Sequence, residues 1–105
     1  MTHFSDRTSI LYLLQRGLLG EVHPQLRQAS IEADPFLKIV RVRFEYDGEP
    51  EKNVQESCSC AGTEVIAGFS APWQIDEQHC AVPFPKPLHP LQYVAYRRSE
   101  PERAA

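Results

Sequence analysis

Two cysteines separated by a single residue are the first candidates for chemistry in this sequence. Cys58 and Cys60 stand in the stretch SCSC, directly after an acidic segment. Paired zinc ligands usually have about two to four residues between them, and residues two apart on a helix point about 200° away from each other. Cys58 falls on the apolar side of the helix predicted here, and Cys60 falls off it. The spacing therefore favours one buried and one partly exposed thiol over a metal or redox pair, and we assign no metal ligand.

His79-Cys80 is the second candidate. Because neighbours on a strand point to opposite faces, a Cys/His nucleophile pair would need another histidine, such as His89, brought near by the fold. The histidines lack the spacing of a metal site, and neither a glycine-rich phosphate loop nor a nucleophile elbow is present. We predict no catalytic residue and no cofactor, and expect that the protein is not an enzyme. A small Cys/His metal-binding protein or enzyme stays open as an alternative.

The charged residues suggest a different chemistry, the binding of a basic partner. The chain has 105 residues and a net charge of −3, which argues weakly against nucleic acid. Its acids concentrate in one segment, where only Lys52 opposes them: Glu45, Asp47, Glu49, Glu51, Glu56, Glu64, Asp76 and Glu77. Such a segment can attract a basic partner, or it can simply form a solvated face.

Helices are predicted over residues 5–19 and 50–67, because apolar residues recur there at three- and four-residue spacing. Asp6 or Ser5 can cap the first helix, since a short side-chain oxygen accepts from the free N–H groups of the first turn. Pro50 suits the first turn of the second helix, where its missing N–H costs nothing.

Strands are predicted where β-branched and aromatic residues alternate with polar ones. They cover residues 26–33, 36–47, 73–84 and 91–98, and the first two form a hairpin. The stretch PFPKPLHP is too rich in proline for a central strand and is predicted to be a rigid, extended connection. Arginines on the open face of the sheet, such as Arg41 and Arg43, are expected to pair with acids across strands.

The order of elements, αββαββ, predicts an α+β two-layer domain. Two helices pack on one face of a four-stranded, mainly antiparallel sheet. The domain is expected over residues 1–99, followed by a flexible tail at residues 100–105. No signal peptide or membrane-spanning run is visible, and an odd number of cysteines, three, suits a reducing cytoplasm. We therefore expect a cytoplasmic protein with no membrane partner.

Several short motifs resemble a known family. The stretches RFEYDGEP, TEVIA and PFPKPL, in a similarity covering most of residues 8–99, resemble small α+β bacterial immunity proteins of contact-dependent growth inhibition and related polymorphic toxin systems. The resemblance implies a protein that binds its cognate toxin domain, often a nuclease, and blocks the toxin's active site.

These observations together predict a non-enzymatic immunity protein whose acidic surface binds a basic toxin domain. A nuclease needs a basic substrate groove, which an acidic surface can steer toward and cover. The predicted partner-binding residues are Glu45, Asp47, Glu49, Glu51, Glu56, Asp76 and Glu77. The alternative is an adaptor or structural interaction domain, or a homodimer built through a sheet edge.

Overall fold

The computed structural model describes residues 6–101 and contains two helices and four strands in the predicted order. The elements are α1 (Arg7–Gly17), β1 (Leu26–Asp34), β2 (Ile39–Tyr46), α2 (Lys52–Ala67), β3 (Gln74–Ala81) and β4 (Tyr93–Arg97). The α+β class is therefore confirmed. In this described part of the chain, neither helix has the length and apolar character needed to cross a membrane.

The sheet has the strand order β3-β2-β1-β4. β1 pairs antiparallel with β2, as the predicted hairpin, and antiparallel with β4 on its other side. β3 pairs parallel with β2, because α2 carries the chain back to the start of β2 before β3 begins. The sheet is mainly antiparallel, as predicted, but its β3 edge is parallel.

The core lies between the helices and one face of the sheet. The alternate residues of β2 that face the helices, from Val40 to Tyr46, have no exposed surface. They pack with buried residues of α1 and α2: Ile10, Leu13, Leu14, Val54, Cys58, Ala61 and Val65. Both helices therefore cover the same face, as the apolar stripes predicted.

The first helix begins at its predicted cap. The Asp6 side chain accepts a hydrogen bond from the Ser9 N–H at 2.8 Å, while Ser5, the alternative cap, lies outside the described residues. The helix ends at Gly17, two residues earlier than expected. A Cβ atom at Gly17 would lie 2.8 Å from the Ala61 carbonyl oxygen, so this glycine lets the two helix backbones touch.

The second helix begins at Lys52, so the prediction that Pro50 occupies its first turn is wrong. The Gln25 side chain explains the difference. Its Nε2 donates to the Glu49 carbonyl oxygen at 2.7 Å, and its Oε1 accepts from the Glu51 N–H at 3.1 Å. These bonds satisfy the backbone of the loop and delay the first helical turn.

A proline-rich connection crosses the face of the sheet that the helices leave open. β3 and β4 lie at opposite edges of the sheet, so residues 82–92, which we call the strap, must pass over β2 and β1. Proline has no N–H and restricts its neighbours, so this segment cannot pair as a strand. The proline-rich segment is therefore a connection, as predicted, and it begins at Val82, before the end predicted for the third strand at residue 84.

Glu100 is a correction to the predicted tail. Its carboxylate accepts from the Arg27 Nε at 2.6 Å and from the Arg98 Nη2 at 3.0 Å. These ion pairs hold Glu100 against the domain, whereas the sequence placed it in a flexible tail. Residues 102–105 of that tail lie outside the described residues.

Candidate functional site

Glu45 lies beneath the strap and has 1% of its surface exposed. Its carboxyl oxygens accept from the Gln28 Nε2 at 2.9 Å and from the His89 N–H of the strap at 2.6 Å. A buried donor or acceptor without a partner is costly, and Glu45 supplies the acceptor for both of these donors. In this position its carboxyl group holds the fold together and does not reach a partner's surface, so Glu45 drops out of the predicted set.

The remaining strap backbone is also held by side chains. The Ser30 Oγ accepts from the Leu91 N–H at 2.9 Å, and the Arg43 Nη1 donates to the His89 carbonyl oxygen at 2.5 Å. The strap cannot form a strand ladder, so polar side chains of β1 and β2 replace it. The expected pairing of sheet arginines with acids is confirmed for Arg41, whose Nη1 lies 3.3 Å from the Glu32 carboxylate. It is wrong for Arg43, whose Nε donates to the Gln78 Oε1 at 2.8 Å.

Arg27 fastens the start of the strap and is itself buried. Its Nη1 donates to the carbonyl oxygens of Val82 and Lys86 at 2.7 and 2.9 Å. The hydrogen bond to Glu100, together with that residue's negative charge, raises the pKa of Arg27, and the same arginine lowers the pKa of Glu100. No pattern in the sequence pointed to this role, because its partners lie more than half the chain away.

Asp47 belongs to the same support. Its carboxylate accepts from the Phe84 N–H at 2.9 Å and from the Arg98 Nη2 at 3.1 Å. These two bonds lower the pKa of Asp47, the Phe84 N–H more than Arg98. The charge of Asp47 is therefore already matched inside the molecule, which makes it a weak candidate for partner contact.

Three other predicted residues surround the beginning of α2 and are exposed. Glu49 and Glu51 precede the helix, and Glu56 lies one turn into it. None of their carboxylates forms an ion pair or hydrogen bond with the part of the chain that the structure describes. Lys52 is the one basic residue among them in the sequence, so this part of the surface has a net negative charge that a basic partner could bind.

Asp76 and Glu77 are neighbours on β3 and point to opposite faces of the sheet. Asp76 lies on the strap side, where its side chain is 48% exposed and 3.9 Å from the Arg41 Nε. Glu77 points toward α2, where its Oε1 accepts from the Ser59 Oγ at 2.5 Å. Ser59 follows Glu56 by about one turn of α2, so the helix that carries Glu56 meets β3 at Glu77.

A partly buried polar network continues from Glu77 toward the core. The His79 Nε2 lies 2.8 Å from the Glu77 Oε1, and the His79 Nδ1 lies 2.6 Å from the Tyr46 hydroxyl. The His79 ring also stacks on Phe44 and Tyr46. Both ring nitrogens of His79 are therefore occupied, and Cys80 points to the other face, so the two do not form a nucleophile pair.

Gly62 of α2 packs closely against β3 beside this network. A Cβ atom at that position would collide with the Glu77 carboxylate. Glycine thus allows α2 to approach β3 closely enough for the Ser59 bond. This contact connects the helix firmly to the edge strand.

The cysteines lie as their spacing predicted. Cys58 has no exposed surface, whereas Cys60 is exposed. Burial is the main cause that raises the pKa of Cys58 to about 11, which keeps the thiol neutral. Within residues 6–101, no three histidine, cysteine or acidic side chains are placed to hold a metal ion together.

Comparison with known proteins adds one finding. A family model described as MafI2 immunity protein matches residues 7–100. The match spans both helices, all four strands and the strap, and ends at Glu100. No curated protein matches the chain.

Proposed function

The chain belongs to the MafI2 immunity protein family, and from that premise we propose that it binds a cognate toxin domain and occludes its active site. Family membership supports the toxin-immunity role itself. The proposal adds that the toxin is a basic nuclease of a contact-dependent growth inhibition system. It also adds that the protein works in the cytoplasm and catalyses no reaction.

One observation carries the proposal, an acidic surface in which the carboxylates of Glu49, Glu51 and Glu56 are exposed and have no described partner. The other two acids of this surface, Asp76 and Glu77, have contacts within the domain but are still at least partly exposed. We define this acidic surface as Glu49, Glu51, Glu56, Asp76 and Glu77. Its members run from the beginning of α2 to the adjacent edge of the sheet, where the Ser59–Glu77 bond joins the two elements. A nuclease binds a polyanion through a basic groove, and an acidic surface is complementary to such a groove.

Co-expression tests the function directly. We expect the protein to restore growth to cells that produce the toxin encoded beside its gene, and to purify with that toxin as a stable complex. The physical reason is that an occluded active site cannot reach its substrate. Intact protein that is produced normally and neither restores growth nor binds this toxin would refute the proposal.

Charge reversal tests the location of the surface. Glu56→Lys should slow association with the toxin and make it less sensitive to salt, because steering by charge acts mainly on the association rate. Glu64→Lys is the matched control, since Glu64 is an exposed acid on the same helix and lies outside the acidic surface. Equal effects of the two changes in stopped-flow binding would place the contact elsewhere.

A further inference from the structure

The outer edge of β3 has backbone groups without partners. The Gln74 N–H donates to the Lys38 carbonyl oxygen at 3.1 Å, and the Val82 N–H donates to the Tyr46 carbonyl oxygen at 2.8 Å. In a parallel strand, the N–H and the C=O of one residue point toward the same neighbouring strand, and those of the next residue point the opposite way. The inward set is therefore Gln74, Asp76, Gln78 and Cys80, and the outward set is Ile75, Glu77, His79 and Ala81. No described residue hydrogen-bonds the outward backbone groups.

The two edges of the sheet differ in how they are protected. β4 has five residues, its register with β1 shifts between Ala29 and Ser30, and the Gln15 side chain reaches the Ala95 carbonyl oxygen at 3.5 Å. β3 has eight residues and pairs with β2 at every position without a bulge. Proteins usually interrupt, shorten, cover or charge an exposed edge. Nothing within residues 6–101 interrupts, shortens or covers β3, and its charged residues are the acids Asp76 and Glu77.

Acidic side chains flank the β3 edge on both faces. Asp76 lies on the strap side, while Glu77 lies on the helix side, where it contacts Ser59 of α2. Arg41, the cation paired with Asp76, is shared with Glu32. Side chains of an added strand alternate between the two faces, so the charge on both faces of this edge favours lysine and arginine.

We propose that the β3 edge binds an extended, basic segment of the cognate toxin domain, which adds a fifth strand to the sheet. This inference rests on the proposed function and names the surface and the form of the partner segment. Main-chain hydrogen bonds to the outward groups provide the pairing, and the acids select for positive charge.

The partly buried network holds β3 in the shape that binding requires. The bonds of Glu77 to Ser59 and His79, and of His79 to Tyr46, fasten the middle of β3 to α2 and β2. A strand held in its bound shape loses less conformational entropy when a partner pairs with it. The acids therefore attract a basic segment, and the network keeps β3 rigid so that the segment can pair with it.

Amide hydrogen exchange of the complex is the first test. In the free protein the inward N–H groups of Gln78 and Cys80 should exchange slowly and the outward N–H groups of Glu77, His79 and Ala81 faster. Binding of the toxin encoded beside the gene should slow the outward set by about tenfold or more. A complex that forms without slowing that set overturns the inference and leaves the proposed function standing.

Ala81→Pro is the second test, because it removes one outward N–H and leaves the inward ladder intact. Ala81 is exposed, so the change should leave the melting temperature near that of the wild type. Loss of one hydrogen bond should weaken toxin binding by about tenfold, while the control Ala81→Ser, which keeps the N–H, binds normally. Equal binding by a folded Ala81→Pro variant refutes the inference, and if this variant unfolds, the exchange result decides.

A second copy of the chain is the competing occupant of this edge. A dimer in sedimentation whose outward amides exchange slowly without toxin would overturn the inference in favour of self-pairing. A monomer with fast outward exchange before toxin is added is the expected result. Failure of the wild-type protein to bind the toxin at all is a different outcome, since it refutes the proposed function as well.

Discussion

Acidic residues that are close in this sequence differ in whether their carboxylates are bound within the fold or exposed to solvent. Glu45 and Asp47 hold the strap through His89 and Phe84, whereas the carboxylates of Glu49, Glu51 and Glu56 are exposed near the beginning of α2. All five belong to one acidic run in the sequence. A run of acids in the sequence therefore predicts a negative surface potential. It does not predict which of those carboxylates are exposed, because residues far away in the sequence can bind some of them inside the fold.

Removal of the buried carboxyl group should have the largest effect. Glu45→Ala leaves the His89 N–H and the Gln28 amide without their acceptor, which should lower the free energy of unfolding by about 2–3 kcal/mol. Urea denaturation measures the change. The matched control is Glu56→Ala, whose side chain has no described partner and whose loss should leave stability unchanged within error. Equal stabilities of the two variants would contradict the distinction.

Low pH should weaken the bonds that Asp47 and Glu100 form near the ends of the strap, and so lower the stability of the protein. The pKa values of Asp47 and Glu100 in the folded protein are lowered by their partners. Both carboxylates therefore contribute fully to stability when the pH is well above the ordinary carboxyl pKa of about 4. This contribution is lost as the pH falls from about 4 through the lowered pKa values of the folded protein. The drop in melting temperature between neutral pH and about pH 3 should therefore be smaller in an Asp47→Asn, Glu100→Gln variant.

At neutral pH the same double variant should be less stable than the wild type. Most of this loss should come from Glu100, whose removal leaves the buried Arg27 without its anion. Asp47 should contribute less, because it is partly solvated and exposed ion pairs contribute little. A pH dependence identical to that of the wild type would show that these carboxylates do not anchor the strap.

Reversal of exposed acids should affect stability least. Glu49→Lys combined with Glu51→Lys should leave the melting temperature within about 2 °C of the wild type, because surface substitutions rarely change stability by much. The same variant should associate more slowly with the toxin. A stability loss as large as that of Glu45→Ala would mean that these residues also serve the fold.

The two cysteines of α2 also differ in exposure, since Cys58 is buried and Cys60 is exposed. Iodoacetamide at about pH 8 should modify Cys60 in the native protein and leave Cys58 unmodified, because a buried thiol with a raised pKa is scarcely ionised there. Mass spectrometry of the digested protein measures both. Similar labelling of the two residues before unfolding would contradict the burial of Cys58.

Local patterns determined much of this protein. Apolar spacing identified both helices and the side of α2 on which Cys58 lies, and alternation identified the β1–β2 hairpin. These features depend on residues within one or two turns of each other, or directly across a tight turn, so short-range geometry is enough. The motifs RFEYDGEP, TEVIA and PFPKPL also indicated an immunity protein family.

Only the tertiary structure decided which strands are neighbours and which acids are free. Glu45 meets His89 across 44 positions of sequence, and Arg27 meets Glu100 across 73. Such contacts depend on the path of the strap and on the parallel pairing of β3, and neither leaves a periodic signal in the chain. The sequence by itself therefore determined the elements and the acidic segment, and long-range packing decided which part of that segment is left on the surface.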